Sequence, residues 1–452
     1  MKIDPKEVKK DLSHTSIDVL KDRATLFLQS KGFGKNIWFP DHTELYSKIP
    51  PQEEMDVVLF GNFALRFFES GNWPTGSYRL WVLSKAAKQV ATGLLGIPKN
   101  QIGVIPRQAL FPFAQMFSSF PKRSDPTTWV YAGRISATKN LEALLRTAHF
   151  LQTDYDMPLT LELYGSPDDQ VHPDRGRREY TNRTVSLAQS LKWRVQPRFV
   201  EKLPMRDWLT IAGFSPVFCS FSTFICEDYG VSLAQAQSEG WPAIVSDWGG
   251  HSDASNSSLL KIHPQQIAHS HEPEAVQKLK AKALAFYLYQ KLAQVESVAL
   301  ASDDSFEVPS LINSLEIDIL RRKLIAGIGP HSQMILREGL SSFADTAAGG
   351  KFFGKYRLLF GTPSQEKSVV VLINDLHESF DQELNKISNR CEEILEEYQK
   401  AGKPVIFVSV REANSPECFD EILRAEKVIL PFKAPELQAI QDWLSEVRPD
   451  AF

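Results

Sequence analysis

Three charged residues, Glu227, Arg134 and Lys139, stand where their types and spacing can do chemistry. Glu227 precedes Gly230 at the head of a helical pattern, Val231, Leu233, Ala234, Ala236 and Gln237, that ends at Gly240. Trp241-Pro242 then leads into an apolar strand, Ala243-Ile244-Val245, and on to Gly249-Gly250. The order loop, helix, strand, glycine loop puts the carboxylate and the glycine pair near strand carboxyl ends, where an open α/β sheet binds its ligands. Glycines there let backbone N–H groups approach an anion or a sugar closely. Arg134 and Lys139 follow the strand Thr128–Ala132 through Gly133 and precede the helix Leu141–Leu151. Two fixed cations beside a helix N-terminus stabilise phosphate charge, above all the charge that grows as a diphosphate leaves. Each residue also has a plainer reading. Glu227 can be a helix N-terminal acid satisfied by the dipole. The cations can decorate a solvated loop, and the glycines can simply turn the chain.

Seven spaced positions, Glu227, Tyr229, Gly230, Gly240, Pro242, Gly249 and Gly250, resemble the signature of GT-B glycosyltransferases of the Glu-x7-Glu, group 1, retaining type. Gly133-Arg134, four residues and Lys139 match a second motif of that family. The resemblance implies an α/β fold of two Rossmann-like, doubly wound parallel-sheet domains facing a cleft. It implies a nucleotide-diphosphate sugar as donor substrate, with no separate cofactor. In that family Arg134 and Lys139 would hold the donor diphosphate, and Glu227 would hold the sugar hydroxyls near the reacting carbon. Gly133, Tyr229, Gly230, Gly249 and Gly250 would complete the donor site. The second acid of the signature is missing, because position 235 is Gln. An amide still bonds a ribose hydroxyl, but without charge assistance. The family also implies retention of anomeric configuration, with the leaving phosphate helping to deprotonate the acceptor. No pair of hydrolase carboxylates is then needed.

The expected function is transfer of a sugar to a glycan, lipid or small-molecule acceptor. The alternative is a catalytically silent relative that binds nucleotide sugar or glycan as a sensor or scaffold. Gln235, a glycine-free loop Asn374–Ser379 and Arg107-Gln108 in place of the family's Asn-Gly motivate that alternative. Asp154-Tyr155-Asp156 spells Asp-x-Asp, but it joins a helix to a strand on the edge away from the ligands. It reads as a solvated turn, and no essential metal is expected. His251 and His377 read as structural or surface histidines. Basic residues interleaved with aromatics are absent, which leaves nucleic-acid recognition unsupported.

The chain of 452 residues, 43% hydrophobic, has room for two or three domains. A net charge of −4 implies no polyanion partner. Four cysteines without CxxC spacing fit a reducing compartment better than a disulfide framework or a zinc site. The N-terminus lacks an apolar signal core, and no run of about 18 apolar residues occurs. A cytoplasmic protein is expected, with peripheral contact at a membrane left open.

Residues 128–262 alternate strand and helix throughout, the pattern of a parallel doubly wound sheet. Strands are expected at 36–40, 56–61, 80–84 and 102–106, with Ser84 capping a helix from Lys85 to Leu95. Residues 111–127, rich in Pro and Ser, read as an interdomain linker. Two helical patterns, 272–295 and 311–337, precede a final βαβ at 368–373, 380–401 and 405–410, with another strand at 428–431. This ending looks like the opening of a GT-B N-terminal domain. A circular permutation is therefore expected, with 1–112 and 366–452 forming the acceptor-side domain and 113–365 the donor domain. The rival is a separate appended α/β unit.

Overall fold

A computed structural model describes residues 17–39, 52–59, 76–110, 123–167, 178–200, most of 214–292, 306–328, 368–373 and short pieces of 393–442. The expectations for His377, for the loop 374–379 and for most of the helix 380–401 lie outside the described residues.

The described residues open on α1 (Ile17–Ser30) and a mixed sheet. Its strands β1 (Ile37–Trp38), β2 (Gln52–Leu59), β3 (Gly76–Val82) and β4 (Ile102–Val104) are parallel, and β4 pairs with β3. Asp56 is buried in β2 and holds the local frame. Its carboxylate accepts from the Gly34 amide at 2.6 Å, Arg79 Nε at 2.8 Å and Trp81 Nε1 at 2.9 Å. The helix α2 (Lys85–Gly93) begins where expected: the Ser84 hydroxyl accepts from the Ala87 amide at 3.1 Å. A four-residue helix, α3 (Arg107–Leu110), follows β4.

The central sheet has six strands, all parallel: β5 (Arg123–Ala132), β6 (Thr160–Tyr164), β7 (Arg198–Val200), β8 (Phe214–Ser220), β9 (Ala243–Ser246) and β10 (Leu259–Ile262). Spatially they run β10-β9-β8-β5-β6-β7. The chain enters at β5, builds outward through β6 and β7, then returns to β8 on the other side. The direction of winding therefore reverses between β5 and β8, the position at which open α/β sheets bind their ligands. Helices described between its strands are α4 (Leu141–Thr153), α5 (Glu179–Ser190) and α6 (Val231–Ser238). Trp129, Tyr131, Leu161, Leu163, Val217 and Ile244 are all at most 2% exposed. Strands covered on both faces need such unbroken apolar runs, which is why the sequence pattern was readable here. The strand β5 begins at Arg123, inside the stretch 111–127 expected as linker, whose earlier part lies outside the described residues.

Beyond β10 lie α7 (Glu274–Leu292), β11 (Ile312–Asn313) and α8 (Ser314–Ile328). The two residues of β11 return to the first sheet and pair antiparallel with β3. A third, parallel sheet contains β12 (Val369–Ile373), β13 (Val405–Ser409) and β14 (Lys427–Ile429) in the order β13-β12-β14. Its core side chains Val369, Val371 and Phe407 pack with Val276 and Leu279 of α7. Among the described residues no ladder joins this sheet to the first one, and no helix is long and apolar enough to cross a membrane.

Candidate active site

The candidate site at the β5/β8 reversal is built from two loops stitched together. The first, Gly133–Asn140, leaves β5. Its Gly133 amide donates to Tyr164 O at 3.0 Å, and the Tyr131 hydroxyl donates to Arg134 O at 2.6 Å. A Cβ on Gly133 would lie 2.8 Å from that hydroxyl, so the turn needs glycine. A tight turn at 137–139 then ends on Asn140, which is left-handed at φ 52°. The Asn140 side chain donates to Phe221 O at 2.8 Å and to Thr223 Oγ1 at 2.9 Å. The Thr223 amide donates to Thr138 O at 3.0 Å. These bonds lock the second loop, Phe221–Gly230, beside the first.

Locked together, the loops bring all three charged residues to one place. Arg134 Cζ and Lys139 Nζ each lie 4.9 Å from the centre of the Phe224 ring. Lys139 Nζ forms an ion pair with Glu227 Oε2 and donates to Ser222 Oγ at 3.2 Å. Ser222 Oγ in turn donates to Glu227 Oε2 at 2.6 Å. Burial alone would raise the Glu227 carboxyl, but the Lys139 charge and the Ser222 hydrogen bond outweigh it and hold the group at about 2. Glu227 is thus ionised at neutral pH, with Oε1 facing His251 Nε2 at 4.0 Å. His251 is buried, and its Nδ1 lies 3.3 Å from Ser246 Oγ. Burial, reinforced by the nearby Lys139 and Arg107, pushes it down to about 4 against the pull of Glu227. The imidazole is therefore neutral at pH 7.

The glycines close the loops onto one another. The Gly250 amide donates to Glu227 O at 2.5 Å, and Trp248 Nε1 donates to Phe224 O at 2.7 Å. A Cβ on Gly250 would meet the Asp228 carbonyl and lie 2.5 Å from Tyr229 Cα. Gly230 sits at φ +68°, and a Cβ there would come within 2.6 Å of the His251 ring. The expected donor site is therefore used differently in part. The Gly250 N–H, expected to face a ligand, is already given to the Glu227 carbonyl because the two loops touch there. Tyr229 is 4% exposed and packs into the first sheet's core with Val58 and Trp81. Gln235 is fully buried on α6. Gly249 adopts φ +53° at the start of a tight turn 249–251.

The first sheet reaches this site through residues that no motif in the sequence marks as functional. Ser84 Oγ donates to Asp228 Oδ1 at 2.7 Å, and the Lys85 amide donates to Asp253 Oδ2 at 2.5 Å. Arg107 bonds three carbonyls of the acid and glycine loops. Ser222 and Asn140 complete the set. Only Arg107 carried a signal, as the departure from Asn-Gly. Asp156 of the Asp-x-Asp stretch pairs with Arg194, far along the chain from these loops.

Residues 113–279 match the family profile described as glycosyl transferases group 1. Over these residues the chain is similar to the group 1 glycosyl transferases. The match covers β5 to the start of α7, so the matched segment contains both loops and all three charged residues. Similar solved structures include TarM of S. aureus, in a variant crystallised with UDP, at 13% identity and a TM-score of 0.35. That alignment covers 68% of this chain and 51% of TarM, so the chain spans about half of TarM's length. A glycosyltransferase from Rickettsia africae aligns at 12% identity and a TM-score of 0.38, over 77% of this chain and 83% of its own. A UDP-forming alpha,alpha-trehalose-phosphate synthase from Burkholderia xenovorans aligns at 10% identity and a TM-score of 0.37, over 76% and 79%. No curated protein matches the chain.

Proposed function

We propose that this protein is a retaining glycosyltransferase that moves a sugar from a nucleotide-diphosphate donor to an acceptor hydroxyl. One observation carries the reading: Arg134, Lys139 and Glu227 converge around Phe224 at the winding reversal of the segment similar to group 1 transferases. Arg134 and Lys139 would hold the diphosphate. Lys139 has three N–H bonds, of which Ser222 and Glu227 engage two, so one remains to meet a phosphate oxygen. Glu227 keeps Oε1 for a sugar hydroxyl while Oε2 is fixed by Lys139 and Ser222. That division lets one ion pair steer both halves of the donor.

In the proposed step the bond from the anomeric carbon to the β-phosphate oxygen breaks. The acceptor oxygen bonds to the same face, and its proton passes to the departing phosphate. The two cations stabilise the charge that develops on the diphosphate, and they do so before the reaction begins. They supply positive charge without a metal, so transfer should survive a chelator. The intracellular, reducing setting expected from the cysteines agrees with a donor of this kind.

Two observations favour a second reading, a binding protein without turnover: the Gly250 N–H is engaged and Gln235 is buried. Incubation with UDP-, GDP- and ADP-sugars separates the two. Release of nucleoside diphosphate that disappears in Glu227→Ala and Lys139→Ala supports transfer. Saturable binding with no release from any donor, with or without acceptors, overturns it in favour of the silent reading.

A further inference from the structure

Arg107 opens α3 immediately beyond β4, in the first sheet's part of the chain. Its guanidinium crosses to the matched segment. Nη1 donates to Tyr229 O and to Gly250 O, both at 2.8 Å, and Nη2 donates to Gly230 O at 3.1 Å. The same group lies 4.8 Å over the Tyr229 ring, and the Tyr229 hydroxyl donates back to Arg107 O at 2.9 Å. Three carbonyls from two loops thus converge on one side chain. Only a planar fork of several donors bonds three acceptors together while stacking on an aromatic face; a lysine ammonium is a single point charge.

The two loops it ties are the ones that carry Glu227 and His251. Gly230 ends the acid loop, and Gly250 precedes His251 in the glycine loop. Between them the direct backbone bond runs from the Gly250 amide to Glu227 O. Arg107 grips both loops from outside their own sheet. We infer that Arg107 is a positioning residue: it fixes the acid loop and the glycine loop against each other and so sets where Glu227 points relative to Arg134 and Lys139. The role assigned to Glu227 rests on the transferase reading above.

The placement makes a particular kinetic signature. Arg134 and Lys139 belong to the loop after β5, so the diphosphate grip is carried elsewhere. Releasing Arg107 should leave donor capture standing and misalign the sugar. The fold itself is held by other contacts across the same seam, Ser84 to Asp228 and the Lys85 amide to Asp253.

The test uses Arg107→Ala and Arg107→Lys in the full chain, with two readouts. The first is hydrogen exchange of the segments 227–231 and 249–254, compared with α4 as an internal reference. Exchange should accelerate in both segments and not in α4. The second is donor turnover. The kcat should fall about 100-fold in Arg107→Ala, as a misplacement of about 1 Å does, with donor KM changed by less than about threefold. Added guanidinium should restore part of the lost kcat, added ammonium should not, and Arg107→Lys should remain impaired. Unchanged exchange in the two segments overturns the inference whatever the activity. So does accelerated exchange with unaltered kcat, or a loss confined to KM. If the wild type turns over no nucleotide sugar while Arg107→Ala still loosens both loops, the transferase reading has failed and the seating of the loops by Arg107 stands.

Discussion

The Ser222 hydroxyl lies 2.6 Å from Glu227 Oε2 and 3.2 Å from Lys139 Nζ, so one small side chain holds both ends of the site's ion pair. Ser222→Ala removes a hydrogen bond to a charged group, worth about 1.5 kcal/mol. Turnover of the donor sugar should fall about tenfold. Steady-state release of nucleoside diphosphate measures it, and an unchanged kcat would show that Glu227 is oriented without the hydroxyl.

Acid should destabilise the protein in two steps. His251 drops from its ordinary 6.5 to about 4 in the fold, so the unfolded chain takes up this proton first and stability falls as pH falls from 6.5 to about 4. Glu227 drops from 4.5 to about 2, so its contribution is present above 4.5 and is lost between 4.5 and about 2. The second step amounts to roughly 3 kcal/mol at most. Urea midpoints at about pH 7, 5 and 3 should show both slopes. Glu227→Gln should erase the lower and His251→Gln the upper.

Lys139→Ala leaves the Glu227 carboxylate in a largely desolvated position without its cation. Removing one partner of such a pair should cost about 3 kcal/mol of stability. Combining it with Glu227→Gln should cost less than the sum of the two single changes, because the partners are in contact. A double-mutant cycle by urea unfolding gives the coupling, and strict additivity would show that the pair contributes nothing.

Gly230 and Gly240 separate backbone strain from crowding. Both have positive φ, +68° and +74°, but only at Gly230 would an added methyl find a neighbour within 4 Å, the His251 ring foremost. Gly240→Ala should cost about 1 kcal/mol for the left-handed conformation. Gly230→Ala should cost about 1–3 kcal/mol more, from overpacking, and should lower turnover, because the displaced His251 ring faces Glu227. Equal losses of thermal stability would contradict the crowding argument.

Asp253 points the other way on pH. Burial pushes its carboxyl up from 3.8 to about 6, against the Lys85 amide bond and the Arg107 charge. Its folded value lies above the unfolded one, so stability from this group is lost as pH rises from 3.8 through about 6. Asp253→Asn keeps an oxygen for the Lys85 amide and removes the buried charge. A gain of about 1 kcal/mol at neutral pH is expected after solvent screening. Thermal melts at neutral and acid pH should show the gain only at the former.

The central sheet was legible because physics writes it locally. Buried parallel strands must be apolar along their whole length, and β5, β8 and β9 each end at a turn that the sequence marks. The charged trio was legible for a related reason, since each member sits at a fixed offset from such a strand. Asn140 was not. Its importance lies in bonds to Phe221 and Thr223, more than 80 residues on, and nothing beside it in the chain signals them. Tyr229 and Gly250 fit their motif, yet their groups are used between loops and across sheets. A short β11 of two residues has no periodicity to read. The βαβ ending showed its parallel strands, but which core its apolar faces join depends on α7, whose packing side no spacing rule announces.

Lys139 and Glu227 are separated by 88 positions although their side chains touch. A ribosome therefore delivers the cation loop well before its counter-charge. Through that interval only β5, β6 and β7 of the sheet have been made, and the basic turn has yet to receive its counter-charge. The carboxylate arrives only with the return of the chain to β8, and the clasp of Gly250 later still. The centre can therefore close only once the chain has passed position 250, and contacts this distant in sequence form slowly.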